Sequence, residues 1–162
     1  MESITLRPLR AEDADAVFRM MADPASREQA AFVHTDAHDR GAFDAWWRRL
    51  VDNPRVRDRA IVSTLEGGEG ELAGTIAAFD IEGDREVSFW VTTAVRGRGI
   101  AHAALTLLLA EEGERPLHAR AAADNVASRR VLERTGFTQA GTQHSFAEGR
   151  GAEIDESIYR LD

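Results

Sequence analysis

Apolar residues recur along this chain in two rhythms, every second residue or every third to fourth, and each switch of rhythm marks the edge of an element. Ile4-Thr5-Leu6-Arg7-Pro8-Leu9 alternates as a short strand, with Pro8 near its end. Glu12, Asp13 and Asp15 then open a helix through Val17, Phe18, Met20 and Met21, which closes near Asp23-Pro24. Residues 24–38 carry no clean period. Ala42, Phe43, Trp46, Trp47 and Leu50 mark a second amphipathic helix that ends before Asn53-Pro54.

Residues 59–65 and 72–80 predict two strands joined by the turn Glu66-Gly67-Gly68-Glu69-Gly70-Glu71, and Glu82-Gly83-Asp84 turns into a third strand carrying Val87, Phe89 and Val91. Ile100, Ala104, Leu105, Leu108 and Leu109 follow helical spacing up to Glu112-Gly113, with Pro116 as a stop signal. Leu117 to Ala121 is a short strand. Asp124 or Asn125 caps a helix reaching Thr135 and Gly136, and residues 138–146 and 153–161 close the chain as a hairpin. The order is strand, two helices, three strands, helix, strand, helix, two strands. A meander followed by strand–helix crossovers implies an α/β (mixed α+β) fold, with a mixed, mostly antiparallel sheet and helices on both faces.

The 162 residues suit one domain, 1–162, able to bury roughly 68–70% of its unfolded surface. With no cysteine, disulfides, thiolate metal sites and a cysteine nucleophile are excluded. All 20 basic residues are arginine, so lysine chemistry is excluded as well. The formal charge of −8 argues against nucleic-acid or anionic-membrane partners and mildly favours amine-bearing ones. No basic-then-apolar leader and no apolar run of ~18–20 residues is present, so a soluble cytoplasmic protein, monomer or homodimer, is expected.

The chemistry gathers where the third strand meets the next helix, at Arg96-Gly97-Arg98-Gly99-Ile100-Ala101. A loop feeding a helix N-terminus offers unpaired N–H groups and the positive end of the helix dipole, a seat for a phosphate or pyrophosphate. Gly97 and Gly99 permit close backbone approach, Arg96 and Arg98 add positive charge, and His102 in the first helical turn contributes its backbone N–H. Taken alone, two glycines also fit an ordinary strand-to-helix turn. A dinucleotide fingerprint is excluded, because its third glycine would fall on His102 and the preceding strands form an antiparallel meander.

These residues resemble the GNAT N-acetyltransferase superfamily, in particular its RimJ/RimL-like branch. The family's Gln/Arg-x-x-Gly-x-Gly/Ala signature is met by Arg96 to Ala101 between the expected strand and helix. The branch's second signature is met by Asn125-Val126-Ala127-Ser128, Val131-Leu132, Glu133-Arg134 and Gly136-Phe137, and Gly151, Asp155 and Tyr159 fall on its final hairpin.

The resemblance implies acetyl-coenzyme A as donor, lying where the strand ending at Val91 splays from the strand at Leu117. Phe89 and Val91 then line or bond the pantetheine arm, and the amides around Arg96, Gly97, Arg98, Gly99, Ile100, Ala101 and His102 hold the pyrophosphate. Direct transfer to a primary amine, a protein N-terminus or a small molecule, needs a proton acceptor and a proton donor to the departing thiolate. Glu86, sharing a strand face with Ser88 and Trp90, is the candidate acceptor, against a solvated strand-end carboxylate. Ser128 is the candidate donor, against a serine bonded to its own first turn. Asn125 bonds the cofactor, fixes Ser128 or caps the helix, and Leu132 stands where many relatives carry a tyrosine.

Phe32, His34, Trp46 and Trp90 are candidate acceptor-lining residues, although the tryptophans also fit core packing. His34 and His38 have helical metal spacing but no completing carboxylate, so no metal is expected. Two other functions fit the sequence: a non-catalytic acyl-coenzyme A sensor, and an interaction module that binds no cofactor.

Overall fold

The computed structural model describes residues 2–31, 33 and 36–162. The chain runs through β1 (Glu2–Pro8), a 3-10 turn (Ala11–Asp13), helices α1 (Ala14–Ala22), α2 (Pro24–Ala30) and α3 (Arg40–Asp52), and the meander β2 (Arg57–Leu65), β3 (Glu71–Ile81) and β4 (Asp84–Val91). After it come α4 (Ile100–Glu111), β5 (Leu117–Ala122), α5 (Val126–Arg134) and the hairpin β6 (Thr138–Ala147) and β7 (Ala152–Leu161). The strands form one sheet in the order β1-β2-β3-β4-β5-β7-β6.

The order expected from the sequence is reproduced with one added helix. α2 occupies part of the segment that carries no period. Asp23 Oδ2 caps it by accepting the Ser26 N–H at 3.0 Å, and Pro24 stands at its first position, where no N–H is needed. Its buried residue is a serine, so it has no apolar stripe to betray it. The first helix opens as a 3-10 turn, because the Asp13 carboxylate reaches back to the Arg10 N–H at 2.8 Å and to Arg7 Nη1 at 2.8 Å.

All neighbouring strands are antiparallel except β4 and β5, which run parallel and pair only at Arg85↔Leu117 and Glu86↔His118. Beyond Glu86 the two strands diverge, leaving an open seam between Val91 and the end of β5.

Alternation along the strands sends apolar side chains to two faces. Under α4 and α5, Ile61, Ile76, Val87, Leu105, Leu108, Leu117, Leu132 and Tyr159 form the main core. Full burial of each aliphatic side chain contributes about 1.5–3 kcal/mol. On the opposite face, Val17 and Met20 of α1 meet Phe43 and Trp47 of α3. A third, smaller group, Ala31, Ala122, Ala147 and Ile154, packs at the end of α2.

Candidate active site

The loop after β4 folds as a 3-10 turn (Thr93–Val95) and then two left-handed glycines, Gly97 at φ 81° and Gly99 at φ 75°. A Cβ at either glycine would meet nothing within 4 Å, so backbone conformation is what requires glycine, and the space beside the loop is open. Gly99 caps α4 without any side-chain cap, and Ala103 N–H bonds Gly99 O at 3.1 Å. The amides of Ile100, Ala101 and His102 precede the first i→i−4 bond and lie at the positive end of a 12-residue helix. This open, donor-rich cradle fits a pyrophosphate.

The two arginines of the loop are engaged elsewhere. Arg96 donates from Nε to Val91 O at 3.3 Å and from Nη2 to Ser26 Oγ at 3.2 Å, and burial lowers its pKa from the ordinary arginine value. Arg98 is ion-paired with Glu2, which also accepts from Ser63 Oγ. In the first turn of α4, His102 Nδ1 is buried with no partner among the described residues.

Glu86 stands on the last rung before the seam opens, opposite His118. By strand alternation and register, Glu86, His118, Arg120 and Glu156 share the face on which α2 packs. Arg120 Nε donates to Glu86 Oε1 at 3.0 Å, while its Nη1 lies 3.5 Å from Glu156 Oε1 and 3.1 Å from Gln143 Oε1. Glu86 and Glu156 retain only 8% and 6% of their exposure, so two nearly buried carboxylates share one guanidinium. Burial pushes the Glu156 carboxyl above the ordinary glutamate value, with Arg120 opposing. His118 Nδ1 is likewise buried without a described partner.

At the start of α5, Asn125 is the cap, its Oδ1 accepting the Ser128 N–H at 3.2 Å. Asp124, the other candidate, instead pairs with Arg150 at 2.7 and 2.8 Å. Ser128 is half-buried, and no described residue bonds its hydroxyl. Leu132 is core. Tyr159, whose hydroxyl accepts from Arg129 at 2.9 Å and donates to Glu133 at 3.1 Å, is locked inside the same layer.

Of the residues expected to line the donor, Phe89 and Val91 pack partly buried against the α4 side, at the seam's edge. Trp46 and Trp90 pack against the α1–α3 core, Trp46 with its ring 5.7 Å from Phe43 and Trp90 with a buried Nε1 that has no partner among the described residues. Phe32 and His34 lie outside the described residues. Among the described residues no group of three His, Asp or Glu side chains is arranged to hold a metal ion, and no helix is long and apolar enough to cross a membrane.

Arg120, His118 and Glu156 were not singled out from the sequence. The signal was there: Arg120 is a charge between alanines in an alternating strand, and Glu156 lies between the apolar Ile154 and Ile158.

Residues 3–138 match the family model of the acetyltransferase (GNAT) domain. The chain belongs to the GNAT acetyltransferase family. Its fold is that of RimJ from Mycobacterium smegmatis, solved with CoA-disulfide, at 26% identity and a TM-score of 0.74 over 98% of this chain and 81% of the other. The spermidine N-acetyltransferase of Vibrio cholerae, solved with CoA and spermine, superposes with a TM-score of 0.80 at 13% identity, covering 98% and 94%. An N-acetyltransferase from Staphylococcus aureus Mu50 gives 0.79 at 24%, covering 99% and 98%. No curated protein sequence matches this one closely enough to count as a relative. Membership makes this GNAT chain an N-acetyltransferase with acetyl-coenzyme A as its cofactor.

Proposed function

We propose that the protein transfers an acetyl group directly to a primary amine while donor and acceptor are bound together. The observation that carries this reading is the coincidence of an open helix start at 97–102, without a side-chain cap, with a sheet seam that ends on a nearly buried carboxylate, Glu86.

When bound, acetyl-coenzyme A supplies the activated thioester. The amides of 97–102 hold its pyrophosphate, and the unpaired edge of β4 through Phe89 and Val91 guides the pantetheine toward Glu86. The six residues of strand from Glu86 to Val91 span roughly 16 Å.

Glu86 takes the proton of the incoming ammonium, directly or through water, with Arg120 fixing its orientation through Oε1. Glu156 adds a second acidic group, which favours a cationic acceptor at the seam. Ser128, held at the first turn of α5 by Asn125 and with a hydroxyl that no described residue bonds, relays to the departing thiolate one of the two protons the amine gives up, taking a proton from solvent as it donates its own, so that free thiol leaves and the serine ends neutral. The acceptor class covers protein N-termini, which the resemblance to the RimJ/RimL-like branch implies, and small-molecule amines, the kind of acceptor named for the spermidine N-acetyltransferase.

The deciding experiment is an acceptor screen with free-thiol detection, spanning N-terminal peptides, polyamines and amino acids. Thiol release that depends on the acceptor is expected. Tight coenzyme A binding with no release from any acceptor would favour a non-catalytic acyl-coenzyme A sensor, a reading to which the commitment of Glu86 to Arg120 lends support.

A further inference from the structure

The two signature segments, 96–101 and 125–128, lie far apart in sequence, and α2 touches both. Ser26 and Gln29 are three residues apart and therefore on one side of that helix. Ser26, 1% exposed, accepts from Arg96 Nη2 at 3.2 Å. Gln29 exchanges two hydrogen bonds with Asn125, its side chain giving from Nε2 to Oδ1 at 3.4 Å and its main-chain carbonyl receiving from Nδ2 at 3.3 Å. Since Arg96 also holds Val91 O at the end of β4, and Asn125 follows β5, α2 spans the seam from one lip to the other.

Its far end is fastened too. Gly149 N–H bonds Ala31 O at 2.8 Å, and a Cβ at Gly149 would come within 2.1 Å of Arg27 O, so the β6–β7 turn lies flat on the end of α2. A helix of seven residues is too short to persist on its own, so its order depends on these tethers.

We propose that α2 is a brace that carries occupancy of the pyrophosphate loop across the seam, with Ser26 and Gln29 as positioning residues. An anion seated on the amides of 97–102 immobilises the backbone next to Arg96. The guanidinium then holds Ser26 more persistently, and α2 stiffens against Asn125, the residue that fixes the amide of Ser128. The proposal rests on coenzyme A occupying that loop.

Hydrogen exchange of the full chain with and without saturating coenzyme A tests both. In the wild type, amides 97–103 slow, and so do amides 25–31, by about fivefold, the ratio that one net hydrogen bond supports. In Ser26→Ala the loop response is retained and the α2 response is lost. Ser26→Cys, which keeps the size of the side chain but replaces the hydroxyl with a poor acceptor for Arg96, gives the same separation should Ser26→Ala not fold. Gln29→Ala keeps the α2 response but speeds exchange at Ser128 in both states. A wild-type loop that slows while α2 does not, or a Ser26→Ala protein whose α2 response is undiminished, overturns the brace. Absence of any slowing at 97–103 overturns the loop as the cofactor's seat, and the brace with it.

Discussion

Arg120 Nε meets Glu86 Oε1 at 3.0 Å across the widening seam, so the carboxylate best placed to take a proton is already oriented by a cation from the neighbouring strand. Replacing Glu86 with Gln keeps size and hydrogen bonding but removes the proton acceptor. Acetyl transfer should fall by roughly 10²–10³-fold, while coenzyme A affinity, measured calorimetrically, stays within a few-fold of wild type. Transfer at the wild-type rate would remove Glu86 from the chemistry.

Arg120→Ala strands two nearly buried carboxylates. Because Arg120 is about a third exposed, the cost should lie below that of breaking a fully buried pair, about 2 kcal/mol. With its partner gone, Glu156, whose carboxyl burial already pushes above the ordinary glutamate value, holds its proton more tightly when folded than when unfolded, so the variant should gain stability as pH falls toward the ordinary glutamate range and lose it as pH rises. Urea unfolding at several pH values checks the sign, and a deficit that deepens on acidification would contradict it.

Ser128→Ala removes a hydroxyl that no described residue uses, so folding should be untouched. If the hydroxyl protonates the leaving thiolate, turnover drops by about 10²-fold with little change in KM for the donor. Steady-state kinetics on any acceptor found in the screen separates this from a silent substitution.

Gly99→Ala forces a side chain into a left-handed conformation at φ 75°, which costs roughly 1–2 kcal/mol. The added methyl meets no atom within 4 Å, so the penalty is conformational and falls on the loop. Coenzyme A affinity should weaken by about tenfold, with the melting temperature only slightly lowered, as titration calorimetry and thermal denaturation would report.

Far from the seam, Asp13 accepts from Arg7 at 2.8 and 2.9 Å and from the Arg10 N–H at 2.8 Å, and the Arg7 guanidinium holds its carboxyl below the usual aspartate value. That stability is present above the unfolded pKa and fades as pH falls through the folded one. Asp13→Asn should therefore cost about 1–2 kcal/mol at neutral pH and progressively less in acid. A difference independent of pH would dismiss the charge as the cause.

The strands of the meander, α4 and α5 were legible in the sequence because apolar residues recur at each element's period and glycine or asparagine marks the helix ends, whereas the mostly polar β6 was placed by its turn with β7. α2 was not legible, since its inward contacts are Ser26 to Arg96 and Gln29 to Asn125, polar bonds to residues about 70 to 100 positions away that leave no local rhythm. The donor loop could be found because its chemistry is contained in six consecutive residues. The acidic cluster could not be assembled from the sequence, because its members, each locally visible as a charge in an alternating strand, come from three strands whose adjacency depends on sheet order.

The two-rung contact between β4 and β5 divides the sheet into two panels, β1 to β4 and β5 to β7, bound along a short spine. Side chains keep the panels from falling open: α4 lies chiefly over the first panel and α5 over the second, both feeding one apolar layer, while α2 and the Arg120–Glu86 pair reach across the seam on the other face. The slot between the panels can thus breathe to admit a long, thin ligand without breaking any rung of the backbone ladder, and a ligand with amides along its length would serve as a temporary page between them.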